Sequence, residues 1–151
     1  MLLHSLTDAA DGSTCTLHYE EANGWLRAVW RGFVDAAEAE LGARNYLAHT
    51  AGLRCPYLLN DNAGLRGPWF DSVRWFEGVW LPHALALGLR YVAHVVQADT
   101  HADILTMVLT PPVARELELQ VFDDVPAAEA WLRSCQASAA GAAAGPPANQ
   151  L

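Results

Sequence analysis

Apolar and polar positions alternate on both sides of Asn23-Gly24, through C-T-L-H-Y-E before it and W-L-R-A-V-W-R after it. Asn and Gly both accept positive φ, so the pair predicts a two-residue type I′ hairpin turn. That turn sets Glu21 opposite Leu26, Tyr19 opposite Ala28 and Leu17 opposite Trp30 on a mostly apolar face. The other face pairs Glu20 with Arg27 and Thr16 with Arg31, as expected of a half-buried antiparallel ribbon.

Beyond the ribbon the period changes. Asp35 followed by Glu38 has the spacing of a capping box, which predicts a helix to about residue 51 with Gly52 as its stop. Residues 55–60 read as a short buried strand. It stops at Asn60-Asp61-Asn62, before a loop holding Gly64 and Gly67. Pro68 suits the first turn of a second helix. There Trp69, Val73, Phe76, Trp80, His83 and Leu87 recur every three or four residues and mark one face. Pro82 would crowd the carbonyl of Gly78, so a kink is expected. Gly88 ends this helix. Tyr91–Val96 reads as a buried strand, 101–109 is open between helix and strand with a short helix favoured, and Leu117–Phe122 reads as a strand. Asp124 with Pro126 opens a last helix through Leu132. Strands alternating with helices predict an α/β domain. Its sheet is mixed, mostly parallel and four- or five-stranded, with an antiparallel N-terminal hairpin and flanking helices.

Composition narrows the function classes. Apolar residues make up 52% of the 151, and six are Trp, enough to bury one core. Residues 14–135 are read as that domain, 1–13 as a flexible lead-in, and 136–151 as a disordered Ala/Gly/Pro tail. The formal charge is −8, which argues against nucleic acid as a partner. No apolar run is long enough for membrane insertion. There is no Lys, which excludes Schiff-base chemistry and a Walker-type phosphate lysine. Cys15, Cys55 and Cys135 are widely spaced and unpaired in pattern, as in a reducing cytoplasm. With no basic residue before Arg27, no secretory signal is expected.

Several features resemble the STAS superfamily (sulfate transporter and anti-sigma-factor antagonist domains), and more closely its small bacterial SpoIIAA-like, STAS/SEC14-like branch. These are Trp30-Arg31-Gly32-Phe33, Leu58-Leu59-Asn60-Asp61, Trp80-Leu81-Pro82-His83-Ala84, Gly88-Leu89-Arg90-Tyr91-Val92-Ala93, and Phe122-Asp123-Asp124 with Ala130-Trp131-Leu132. The resemblance spans residues 15–133. It implies a four- or five-stranded sheet flanked by helices and no known enzyme activity, and the better-known STAS relatives act through protein partners. Some STAS relatives are switched by phosphorylation of a Ser or Thr in the loop after the third strand. Asp61-Asn62-Ala63-Gly64-Leu65 has no hydroxyl, so that switch does not carry over.

Candidate chemistry gathers in a few places. The stretch Asn60, Asp61, Asn62, Gly64, Arg66 and Gly67, with Trp69 beyond it, falls where parallel sheets bind ligands, and Arg66 with a helix start would hold a small anion. Its spacing is not that of a P-loop, and a plain turn is the alternative. His83 and His94 form either a convergent pair or two core histidines. Asp99-Thr100-His101-Ala102-Asp103 lacks the central Gly and distant Glu of a calcium loop. Trp75, with Leu81 and Leu85, lies off the main helix stripe and is read either as a partner or self-association patch or as covered. No G-x-S-x-G is present, and no cofactor or metal is expected. The leading expectation is a cytoplasmic, non-enzymatic binding domain acting on a protein partner or a small ligand. The alternative is a lipophilic-ligand carrier or small enzyme with its pocket near Asp61, Arg66, His83 and His94.

Overall fold

A computed structural model describes residues 1–96 and 115–145. The segment 101–109 and the run Asp99–Asp103 considered above lie outside the described residues. Six strands form one sheet in sequence order: β1 (Leu2–Thr7), β2 (Thr14–Glu20), β3 (Trp25–Phe33), β4 (Tyr57–Arg66), β5 (Tyr91–Val95) and β6 (Glu118–Phe122). The first three pair antiparallel and the last four, from β3 on, pair parallel.

β1 corrects the flexible lead-in. It pairs with β2, and a bulge between Leu2 and His4 interrupts its alternation. Its apolar inward residues, Leu3 and Leu6, are therefore three apart rather than two or four, both packing on the core, and the inward position two before Leu6 is the polar His4, stacked on His49. No period-2 signal survives that shift.

The hairpin register is two residues away from the expected one. Glu20 faces Trp25, Tyr19 faces Leu26 and Leu17 faces Ala28. The turn has four residues: the N–H groups of Asn23 and Gly24 both donate to the Glu20 carbonyl, at 3.0 and 2.8 Å. Only Gly24 takes positive φ (71°), whereas a type I′ turn needs it at both central residues. The Glu20 carboxylate favours the longer loop, accepting from Asn23 Nδ2 (2.9 Å) and Trp25 Nε1 (2.7 Å). A two-residue slip keeps every side chain on its face, so the apolar side survives.

α1 (Ala36–Thr50) begins at the expected capping box: Asp35 Oδ1 accepts from the Glu38 N–H and Glu38 Oε2 from the Asp35 N–H, both at 2.9 Å. The second helix is segmented. A 3-10 turn (Trp69–Ser72) leads into α2 (Val73–Trp75), a π segment (Phe76–Trp80) and α3 (Leu81–Ala86). Pro82 cannot donate to the turn before it, and the Leu81 N–H bonds back five residues to the Phe76 carbonyl. The helix takes up an extra residue there instead of a plain kink.

α4 (Val125–Ala143) is capped as expected by Asp124, whose Oδ1 accepts from the Ala127 N–H at 2.8 Å. It does not stop at Leu132. Cys135 is buried, Gln136 Nε2 donates to the Asn23 carbonyl at 2.8 Å, and Gly145 (φ 63°) follows the last turn. The expected disordered tail is thus helical through Ala143, because its Ala-rich composition is that of the best helix formers.

Alternation sorts the sheet into two faces. Leu17, Ala28, Leu58 and Val92 look toward α1 and the segmented helix. On the other face α4 packs, with Trp131 against Tyr91 and Phe122, and Arg133 over the Trp25 ring. Helices therefore cover both faces of a largely parallel sheet, as the α/β reading requires.

Candidate ligand site

β4 runs ten residues, to Arg66. The expected glycine loop is therefore strand, and Gly64 pairs with Arg31, Leu65 with Gly32 and Arg66 with Phe33. A Cβ at Gly64 would run into the Arg31 side chain, so this glycine serves close cross-strand approach rather than a turn. Arg66 is exposed, and its carbonyl accepts from the Val34 N–H at 2.7 Å. At Gly67 (φ 100°) the chain turns toward Trp69. An anion cradle made of a loop and Arg66 does not exist here.

Strand alternation then separates the N-D-N triplet. Asp61 points to the α4 face. It is 2% exposed, with Oδ2 3.3 Å from Arg27 Nη2 and 3.4 Å from Arg31 Nη2, and its Oδ1 accepts from the Ala63 N–H. Asn60 and Asn62 point to the α1 face. Opposite Trp30, β4 places both Asn62 and Ala63, an extra residue that bends the strand. Bulges of this kind often re-aim side chains beside sites.

On that face lies a cavity of about 140 Å³. Val92 and Leu58 line its sheet side, Ala43 and Tyr46 of α1 one wall, and Phe76 and Trp80 of the π segment another. A Cβ at Gly42 would run into the Trp30 ring, the Cη2 end first, so a glycine in α1 lets the outer edge of the indole come up against the helix. Trp80 Nε1 is satisfied by the Ala43 carbonyl at 3.1 Å.

His94 is the polar centre of the lining. It is 3% exposed, its ring centroid 5.9 Å from that of Trp69. Nδ1 lies 3.1 Å from Asn60 Nδ2 and Nε2 lies 3.1 Å from Asn62 Nδ2. Asn60 Oδ1 accepts from Trp30 Nε1 at 3.0 Å. Burial pushes the His94 pKa down to about 4 and the Cys15 thiol, also in the lining, up to about 12. At neutral pH the cavity thus holds a neutral imidazole with both nitrogens engaged and a protonated thiol. Neither is a ready base or nucleophile.

Comparison with solved structures gives one further observation. The chain is similar to the crystal structure of an uncharacterized protein from the DUF3478 family with a SpoIIAA-like fold, from Shewanella loihica PV-4. The TM-score is 0.52 and the identity 20%, covering 84% of this chain and 98% of that one. This chain has a SpoIIAA-like fold. No family model matches it, and no curated protein does.

Within this SpoIIAA-like frame the residues singled out earlier part company. Asn60, Asn62, Trp69 and His94 meet at the cavity. Asp61 lies behind the sheet, and His83 is exposed with Nδ1 2.7 Å from the Val79 carbonyl. The π segment accounts for His83: one extra residue rotates the following turn, so Leu81 and Ala84 face inward in its place. Trp75 is half-buried, with the Arg44 guanidinium 4.7 Å over its ring, and Leu81 is buried. Trp30, Gly42, Tyr46 and Cys15 line the cavity and were not singled out. For Trp30 the signal was its place with Leu17 on the apolar face of the hairpin.

Elsewhere, the carboxylates of Asp8, Asp11 and Glu38 gather near the β1–β2 turn. They already serve the backbone: Asp8 accepts from the Ala10 N–H, Asp11 from the Ser13 N–H, and Glu38 closes the capping box. No helix among the described residues is long and apolar enough to cross a membrane.

Proposed function

We propose that this chain is a small-molecule binding protein, a carrier or sensor, that encloses an apolar ligand between the sheet, α1 and the segmented helix. One observation carries the reading: a cavity of about 140 Å³ with an almost wholly apolar lining, in which Asn60, Asn62 and His94 are grouped on adjacent strands. An apolar space of about 150 Å³ is large enough to admit a molecule the size of benzene. Grouped polar side chains in an apolar pocket are the usual means of orienting a ligand. The reading replaces the pocket expected near Asp61 and Arg66, which lie elsewhere. Action through a protein partner draws its support from fold analogy alone.

The test is a titration of the purified chain with benzene, followed in amide ¹H–¹⁵N spectra and by thermal unfolding. Shifts confined to cavity residues such as Ala43, Val92 and Leu119, with a rise in Tm, are expected. Ala43→Leu, which fills the space, should abolish both. Saturating benzene that leaves these amides unmoved would rule the reading out.

A further inference from the structure

An amide's oxygen and nitrogen have the same outline, and their partners decide which is which. Trp30 Nε1–H can only donate, so the Asn60 atom 3.0 Å from it is the oxygen. Asn60 therefore turns its NH2 to His94, and Nδ1 at 3.1 Å must be the acceptor nitrogen of the ring. A neutral imidazole with an acceptor at Nδ1 carries its proton on Nε2. An Asn62 NH2 group 3.1 Å from that N–H would set donor against donor. The oxygen assigned to Asn62 in that orientation is buried and has no hydrogen-bond partner among the described residues. Turning the Asn62 amide over removes the clash, because Oδ1 then accepts from His94 Nε2–H. An NH2 then takes the place of that oxygen, on a side chain that is 5% exposed and lines the cavity.

We infer that Trp30, Asn60, His94 and Asn62 form a one-way donor chain ending in a free Asn62 NH2, and that the cavity selects neutral apolar molecules bearing a hydrogen-bond acceptor such as a carbonyl oxygen. The ligand class rests on the binding reading above; the amide orientation does not. A buried donor left unmade is costly, and a ligand oxygen would satisfy it. Charge decides between acceptor types. The lining holds no Arg among the described residues and includes Glu77, so a carboxylate would be desolvated without a counter-ion. A ketone, ester or amide oxygen meets no such penalty.

Two measurements test this. Long-range ¹H–¹⁵N correlation on the ligand-free wild type reports the His94 tautomer: a proton on Nε2 is expected, and a proton on Nδ1 overturns the donor chain. Titration then compares three five-membered rings of similar size: cyclopentane (no polar group), cyclopentanone (acceptor only) and pyrrole (N–H donor, no lone-pair acceptor). In Asn62→Leu the affinity for cyclopentanone relative to cyclopentane should fall about tenfold, the scale of one neutral hydrogen bond. The pyrrole ratio should not fall. If pyrrole alone depends on Asn62, or if both rings bind with no such dependence, the donor assignment is wrong while the cavity stands. If none of the three binds the wild type, the binding reading fails and takes the ligand class with it. The tautomer measurement needs no variant, so it decides the donor chain even if Asn62→Leu does not fold.

Discussion

Asn60 and His94 are register partners on adjacent parallel strands, and their side chains meet at 3.1 Å on the cavity side of the sheet. Strand pairing itself therefore brings amide and imidazole together. Asp61 and Val95, the next pair along, face the other way.

The first prediction concerns acid. His94 has a pKa near 4 in the folded chain against an ordinary value of 6.5, because burial opposes its charge. The unfolded chain thus takes up the proton first, and stability is full above pH 6.5 and falls as pH drops toward 4. At 1.36 kcal/mol per pH unit the loss is roughly 2 kcal/mol by pH 5 and about 3 kcal/mol by pH 4. Urea unfolding at pH 7 and pH 5 measures it. The same slope in His94→Gln would show that another group is responsible.

Behind the sheet, Asp61→Asn should cost roughly 1–3 kcal/mol. Asn keeps the shape and can still accept from the Ala63 N–H, but it leaves Arg27 and Arg31 without their shared carboxylate. Arg31 is 48% exposed and Arg27 retains Glu20 at 3.4 Å, so water and Glu20 moderate the loss. A change under about 0.5 kcal/mol in chemical denaturation would place this pair with weak surface bridges.

Truncation should distinguish helix from tail. A chain ending at residue 144 should unfold with the full-length midpoint. One ending at residue 133 loses buried Cys135 and the Gln136 bond to the hairpin turn, and should be destabilised by about 2 kcal/mol or more. Equal midpoints would return residues 134–143 to the status of an appendage.

Gly42→Ala should destabilise in spite of better helix propensity. Propensity favours Ala by about 1 kcal/mol, whereas overpacking against the Trp30 ring costs about 1–3 kcal/mol. The displaced indole should also weaken its bond to Asn60, visible as a shift of the Trp30 Nε1–H resonance.

What could be read in advance divides along physical lines. Caps are local, so Asp35-Glu38 and Asp124 stood in plain view. The α/β order followed from period changes, and the two-faced hairpin survived an error in its turn length. Turn identity did not reveal loop length, because Asn23-Gly24 suits a four-residue loop once Glu20 binds it from one end. Gly64 looked like a loop residue because glycine weakens strands, and only the Arg31 side chain across the sheet explains it. At the site, a period of two could have set Asp61 apart from Asn60 and Asn62. The rotation of His83 away from the core needed the π segment, which no spacing rule announces.

The bulge at Asn62-Ala63 bears on chain length. From Asn62 to Leu65, two residues that both face the cavity, is three steps, an odd number that a straight strand could not allow. Remove Ala63 and the interval becomes two, so Leu65 keeps its side and Gly64 still meets Arg31. A one-residue deletion, which would turn an ordinary strand inside out from that point on, would here only straighten it. β4 is a strand with a spare link.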